Sequence, residues 1–177
     1  LIISDGMGKG SRAALDGAMG AGLLSKLINS GFGFDSALKI VNSALLVKSN
    51  DESLATLDIA NIDLFTGKCE LFKAGAPASY IIKDGRLTKC ELTSMPAGIL
   101  RGIEFAKRTA VLSLGDSIIL MSDGITDLGE RWLRDTIATM PNGVQEGADY
   151  ILNSAKEEMK DKKADDMSII FARLERN

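Results

Sequence analysis

Two apolar runs in this 177-residue sequence end in the same tripeptide. Leu1-Ile2-Ile3 leads into Ser4-Asp5-Gly6, and Ile118-Ile119-Leu120-Met121 leads into Ser122-Asp123-Gly124. A carboxylate pair, Asp165-Asp166, heads a third apolar run, Met167-Ser168-Ile169-Ile170-Phe171. Any one of these alone is an ordinary strand-ending turn, since Asp and Gly are common turn formers. Together they are what a fold needs to gather carboxylates around hard cations. Without cations such groups repel, by on the order of 4 kcal/mol per close pair at an effective dielectric of 20. The chain has no histidine. A metal site must therefore be built from oxygen, which favours magnesium or manganese over zinc.

The glycine-rich turn Gly6-Met7-Gly8-Lys9-Gly10-Ser11 invites a phosphate-loop reading, which its spacing excludes. A Walker loop needs G-x-x-x-x-G-K-[ST], and Gly8-Lys9 is followed by Gly10. A dinucleotide fingerprint fails too, because Ser11 stands where the third glycine belongs. Lys9 and Arg12, next to this turn, are candidates for contact with a phosphate or an acidic partner surface. Solubilising surface charge is the competing reading.

These residues need strands to deliver them. Leu1 to Ser4 predicts a short buried strand, followed by a helix over about Arg12 to Asn29 with Leu15, Met19, Leu23, Leu24, Leu27 and Ile28 on one face. Gly17, Gly20 and Gly22 weaken that helix by up to about 1 kcal/mol each. They serve either close packing or a mobile lever beside Asp5. Asp35 is expected to cap a second helix running to about Lys48. Thr56 to Leu64, turning at Thr66-Gly67 and returning over Cys69 to Ala74, reads as an antiparallel pair. Ser79 to Lys83 and Arg86 to Leu92 form a hairpin about Asp84-Gly85. Phe105 to Leu112 and Ser117 to Met121, flanking Leu114-Gly115-Asp116, read as another. Helices over about Arg131 to Thr139 and Val144 to Lys160 precede a last strand, Met167 to Leu174. Hairpins grouped between helix pairs indicate α+β with antiparallel sheets rather than a doubly wound parallel sheet.

Composition fits a single domain, 1–177, able to bury a sizeable core. The formal net charge of −3 gives no electrostatic case for nucleic acid. Cys69 and Cys90 are far apart and read as reduced thiols. Trp132 and Leu133 read as helix packing, and Lys156 to Lys163 as a solvated helix end. The sequence opens inside an apolar run without Met, as expected of a fragment lacking its N-terminal strand or strands.

Five motifs occur in order: Asp5-Gly6-Met7-Gly8, Ala74-Gly75-Ala76-Pro77, Pro96-Ala97-Gly98-Ile99, Ser122-Asp123-Gly124-Ile125-Thr126-Asp127 and Asp165-Asp166-Met167-Ser168. Together they resemble the metal-dependent (PPM-type) serine/threonine protein phosphatases, in their bacterial branch. Thr56-Leu57-Asp58, Ile62-Asp63-Leu64 and a residue other than His after Ala74-Gly75 resemble most the C-terminal phosphatase domains of the stage II sporulation protein E subgroup.

The resemblance implies an α-β-β-α sandwich, two antiparallel sheets flanked by helix pairs. It implies two Mn2+ (or Mg2+) ions held by Asp5, the Gly6 carbonyl, Asp123 and Asp165, with Asp5 bridging. Asp5, Asp123 and Asp165 would then be catalytic through a water that the two ions activate for attack on phosphorus. Asp166 would stand behind the ligands, and Asp127 would assist a third metal. Met7 occupies a position where eukaryotic relatives often carry His. The short stretch between Asp127 and Trp132 suggests a missing flap.

The implied function is a phosphoserine protein phosphatase acting on a phosphorylated anti-anti-sigma factor in sporulation. The resemblance places the domain in the cytoplasm, on a parent anchored in a membrane through regions absent here, with a homodimer left open. The alternatives are a non-catalytic regulatory or binding module of the same fold, and a metal-dependent hydrolase of small phosphate esters or nucleotides.

Overall fold

The computed structural model describes residues 1–48, 53–102, 104–160 and 165–176. They form two compact units. The first comprises Leu1–Asn61, Glu70–Ala76 and Leu92–Arg108, and the second Ile62–Cys69, Pro77–Glu91 and Thr109–Asn177.

In chain order the elements are β1 (Ile2–Gly6), α1 (Ser11–Asn29), α2 (Phe34–Lys48), β2 (Ala55–Ile62), β3 (Lys68–Ala74), β4 (Ser79–Lys83), β5 (Arg86–Cys90), β6 (Ala106–Val111), β7 (Ser117–Met121), α3 (Asp123–Thr126), α4 (Glu130–Thr139), α5 (Val144–Glu158) and β8 (Ile169–Arg173). Two four-stranded sheets result, ordered β1-β2-β3-β6 and β5-β4-β7-β8. This is the α+β arrangement expected, two antiparallel sheets with flanking helices.

In the first unit, alternate residues of β2 and β3 (Ala55, Leu57, Ile59, Phe72 and Ala74) pack with Leu24 of α1 and Leu38, Val41 and Leu45 of α2. The period-2 face of the strands and the 3.6-period stripe of the helices bury each other. Phe34 stacks on Phe72, ring centroids 5.3 Å apart. In the second unit Tyr80, Ile119 and Met121 pack with Leu133, Ile137, Ile151 and Ala155 of α4 and α5. Leu133 belongs to that core and Trp132 packs against it, as expected.

Strand β1 runs two residues beyond the expected end, so Asp5 and Gly6 lie inside it. Its register pairs Asp5 with Thr56 and Gly6 with Ala55. The α1 glycines serve close packing at two positions. A Cβ on Gly17 would stand 2.9 Å from Gly6 N, and one on Gly20 would stand 2.9 Å from Ser4 Oγ. Gly22 faces open space. Helix α2 begins at Phe34 with Ala37 N–H donating to Gly33 O. Asp35 thus sits in the first turn and is not the cap.

The Asp84-Gly85 hairpin forms as expected, with φ of 48° and 70° at its two turn residues, the type I′ signature. The expected hairpin of Phe105 to Leu112 with Ser117 to Met121 does not form. Strand β6 belongs to the first sheet, whereas β7 lies between β4 and β8 in the second. The intervening turn closes elsewhere: Gly115 N–H donates to Leu174 O, and Leu174 N–H to Asp116 O. The solvated run Lys156 to Lys163 is exposed at Lys156 to Glu158, and its residues 161–163 lie outside the described residues.

Candidate metal centre

In the first unit the candidate residues sit where β1 turns into α1. Asp5 is half-buried in the strand. Its N–H donates to Thr56 Oγ1 at 3.3 Å, and that hydroxyl lies 3.3 Å from the Asp5 carbonyl, to which it donates. The pairing continues past Gly6, with Met7 N–H donating to Leu54 O. Gly6 has to be glycine: a Cβ there would stand 1.8 Å from Ala13 O of α1. The turn at residues 7–10 is exposed and carries Lys9, and Gly8 and Gly10 take φ of 108° and 84°. Such angles suit glycine alone among common residues. Arg12 is exposed in the first turn of α1.

The remaining motifs of this unit are tied to one another. Gly75 N–H donates to Ser94 Oγ, which itself donates to Lys73 O. A Cβ on Gly75 would stand 2.7 Å from Pro96 Cγ. Ala97 bridges to Ala55, and Gly98 N–H donates to the buried Asn42 Oδ1.

In the second unit the structure brings two candidate segments together. Ser122 follows β7 directly and precedes α3, whose first residue is Asp123. Ser122 Oγ donates to Asp166 O at 3.0 Å and accepts from Ser168 N–H at 2.9 Å. Ser122 N–H donates to Ser168 O. A Cβ on Gly124 would stand 2.5 Å from Asp166 O. The second Ser-Asp-Gly and the Asp165-Asp166 segment are thereby clamped side by side.

Asp123 and Asp165 are both exposed. Each carboxylate secures its own loop with one oxygen. Asp123 Oδ1 accepts from Gly124 N–H, and Asp165 Oδ1 from Asp166 N–H. Neither Oδ2 has a hydrogen bond to the described residues. Asp127 stands one turn later, exposed, its N–H on Asp123 O at 2.8 Å. Among the described residues no group of three or more Asp, Glu or Cys side chains stands ready to hold a cation. The donor set nevertheless fits a hard divalent ion: it is all oxygen, with open carboxylate oxygens on clamped loops.

A cavity of about 390 Å³ in the second unit, bordered by Ile82, Leu87, Ser117, Ile137, Met140 and Arg173, contains none of these residues. It adjoins Ser117, the opposite end of β7 from Asp123.

Two features escaped sequence reasoning. Ser122 looked like part of a turn, and only the β7–β8 pairing shows that it holds the two acidic loops together. Lys73, an ordinary strand lysine in the sequence, forms a fully buried ion pair with Asp58, Nζ to Oδ1 2.7 Å. Asp58 is separated from it by a strand reversal, so no local pattern links them.

A family model described as Stage II sporulation protein E (SpoIIE) matches residues 1–175. The Stage II sporulation protein E of Bacillus subtilis (strain 168) is 31% identical over 182 residues, covering 99% of this chain and 22% of that protein. The chain thus spans less than a quarter of that relative's length. The solved structure of the PP2C phosphatase domain and a fragment of the regulatory domain of SpoIIE from Bacillus subtilis superposes with a TM-score of 0.86. It is 31% identical, with 97% of this chain and 53% of that one covered. The catalytic domain of the serine/threonine phosphatase PstP in complex with two manganese ions shares the fold, with a TM-score of 0.77 at 19% identity over 98% of this chain and 86% of that one.

Proposed function

From the membership of this chain in the stage II sporulation protein E family of PP2C-type phosphatases, we propose that residues 1–177 act as one metal-dependent phosphoprotein phosphatase domain. The substrate class is a phosphoserine protein, specifically the phosphorylated anti-anti-sigma factor of a sporulation partner switch. The observation that carries the reading is the clamp between Ser122-Asp123-Gly124 and Asp165-Asp166, which presents two carboxylates with open oxygens.

The ligand set is Asp5, the Gly6 carbonyl, Asp123 and Asp165, taking two Mn2+ or Mg2+ ions. When bound, such a pair of ions supplies an activated water for in-line attack on phosphorus and screens the phosphoryl oxygens. The protein's own part is positional. Thr56 fixes the Asp5 backbone, the α1 backbone fixes Gly6, and Ser122 fixes both acidic loops of the second unit. Asp166 supports its loop through its carbonyl. Asp127 stands by for a weaker third ion, and Lys9 and Arg12 meet the phosphoprotein.

No helix among the described residues is long and apolar enough to cross a membrane. On this reading the domain lies on the cytoplasmic side of a parent anchored through other regions, with dimerisation a matter for the whole protein.

The test is hydrolysis of a phosphorylated anti-anti-sigma protein with Mn2+ present and then chelated. Turnover that needs Mn2+ and returns on its re-addition is expected. Turnover indifferent to chelation refutes the metal mechanism. Neither turnover nor calorimetric Mn2+ binding would make the chain a binding module.

A further inference from the structure

The strand pairing that places Asp5 also places a buried ion pair beside it. Directly opposed residues of an antiparallel pair project to the same face, as do residues two apart along a strand. Asp5 is opposed to Thr56, and Ile3 to Asp58. Asp5 and Asp58 are therefore diagonal neighbours on one face of the sheet. Ala55, Leu57 and Ile59 of β2, with Phe72 and Ala74 of β3, pack with α1 and α2 on the opposite face. Lys73 alternates with Phe72 and Ala74, so it shares the face of Asp58. There its Nζ meets Asp58 Oδ1 at 2.7 Å, with the two side chains 0% and 1% exposed. Across β1, β2 and β3 the charge on this face runs negative, negative, positive.

A buried ion pair has no dependable advantage in stability over apolar residues of the same volume. Packing alone therefore does not account for this one. We infer that Lys73 is a positioning residue for the proposed metal centre: it neutralises Asp58, so that Asp5, and not Asp58, is the carboxylate this face offers to a divalent ion. The inference rests on Asp5 being a metal ligand. It gives the two partners opposite effects. Without the Asp58 charge, the Lys73 ammonium is left to compete with the ion for Asp5. Without the Lys73 charge, Asp58 adds its field to that of Asp5. A pair that only held the strands together would weaken metal binding whichever partner was lost.

Calorimetric titration with Mn2+ reads this directly. Asp58→Asn is expected to weaken Mn2+ binding by about tenfold or more, on the scale of supporting residues around metal ligands. Lys73→Met is expected to tighten it. Because each variant removes one partner of a buried ion pair and thereby loses stability, a second measurement uses the unaltered chain. With 13C-labelled lysine, the Lys73 Cε resonance is followed during a Mg2+ titration. It should move and saturate together with calorimetric Mg2+ binding. A Lys73 resonance that stays still while Mg2+ binds saturably overturns the inference, as do folded single variants that shift Mn2+ affinity in the same direction. Absence of saturable binding of either ion to the unaltered chain removes instead the reading of Asp5 as a ligand, and this inference falls with it.

Discussion

The two Ser-Asp-Gly copies are identical in sequence and held by different physics. In the first copy the tripeptide is strand. Ser4 Oγ is buried with no hydrogen-bond partner among the described residues, Asp5 is secured at its backbone by Thr56, and Gly6 lies against the helix backbone at Ala13. In the second, Ser122 follows the last residue of a strand and Asp123 starts a helix. There the serine hydroxyl makes two hydrogen bonds to the Asp166–Ser168 segment, and the glycine lies against a loop carbonyl. The first copy is positioned by sheet and helix backbone, the second by a side-chain clamp. On the proposed reading the repeated motif answers one chemical need, a carboxylate at a fixed point, and says nothing of how each is fixed.

The largest expected effect separates the two aspartates. If Asp5 bridges both ions and Asp123 holds one, either alanine variant should cut turnover by about a hundred- to a thousandfold, on the scale of losing a preorganised electrostatic group at a transition state. Their Mn2+ stoichiometries should differ, with Asp5→Ala losing saturable binding and Asp123→Ala keeping part of it. Calorimetry checks this. Identical stoichiometries in the two variants would break the distinction between bridging and flanking roles.

The glycines come next. Alanine at Gly6 meets the helical Ala13 carbonyl, which cannot yield without moving α1 off β1. Alanine at Gly124 meets the Asp166 carbonyl, in a segment where both Asp165 and Asp166 are exposed. Urea unfolding in chelator should show Gly6→Ala destabilised by about 3 kcal/mol and Gly124→Ala by about 1–2, the range of overpacking costs. The reverse order would show that the β1–α1 contact is the softer one.

For the serines a smaller contrast of opposite sense is expected. Ser122→Ala strands the Ser168 N–H and should cost about 1–2 kcal/mol. Ser4→Ala removes a buried hydroxyl that satisfies nothing, so it should be neutral or stabilising by thermal melting. Equal losses at both sites would mean that Ser4 has a partner after all.

These contrasts mark where the sequence was legible. Apolar periodicity located both helix pairs and the strands, because burial of one face leaves a period of 2 or 3.6 in the sequence itself. Asp84-Gly85 was legible because positive φ demands such residues. Leu114-Gly115-Asp116 looked equally like a hairpin turn, but the partners of β7 are β4 and β8, and pairing between distant segments leaves no local trace. The same limit hid the Ser122 clamp and the Asp58–Lys73 pair. A buried lysine is rare unless paired, and its partner is visible only once β2 and β3 are aligned. The acidic candidates stood out because three carboxylate-bearing segments flank apolar runs, where one alone would be an ordinary turn, and the five ordered motifs pointed to the family. Their separate modes of support were not legible.

The smallest expected effect lies just beyond the second copy, at the start of α4. That helix begins a few residues after Asp127, and Glu130 ties it to the sheet. Its carboxylate meets Arg134 Nη2 at 2.9 Å and Lys89 Nζ at 3.1 Å. The hydrogen bond from Arg134, then that from Lys89, holds the Glu130 carboxyl below its ordinary range. A carboxyl depressed in the folded state contributes stability above its unfolded pKa and loses it as pH falls through the folded value. Glu130→Gln should therefore melt slightly lower than the parent at neutral pH, with the gap closing below the ordinary glutamate range. Glu130 and Arg134 are solvent-exposed and Lys89 partly so, so the gap is small and salt should narrow it further. A gap that persists undiminished in acid would mean that Glu130 supports the second copy through packing rather than charge.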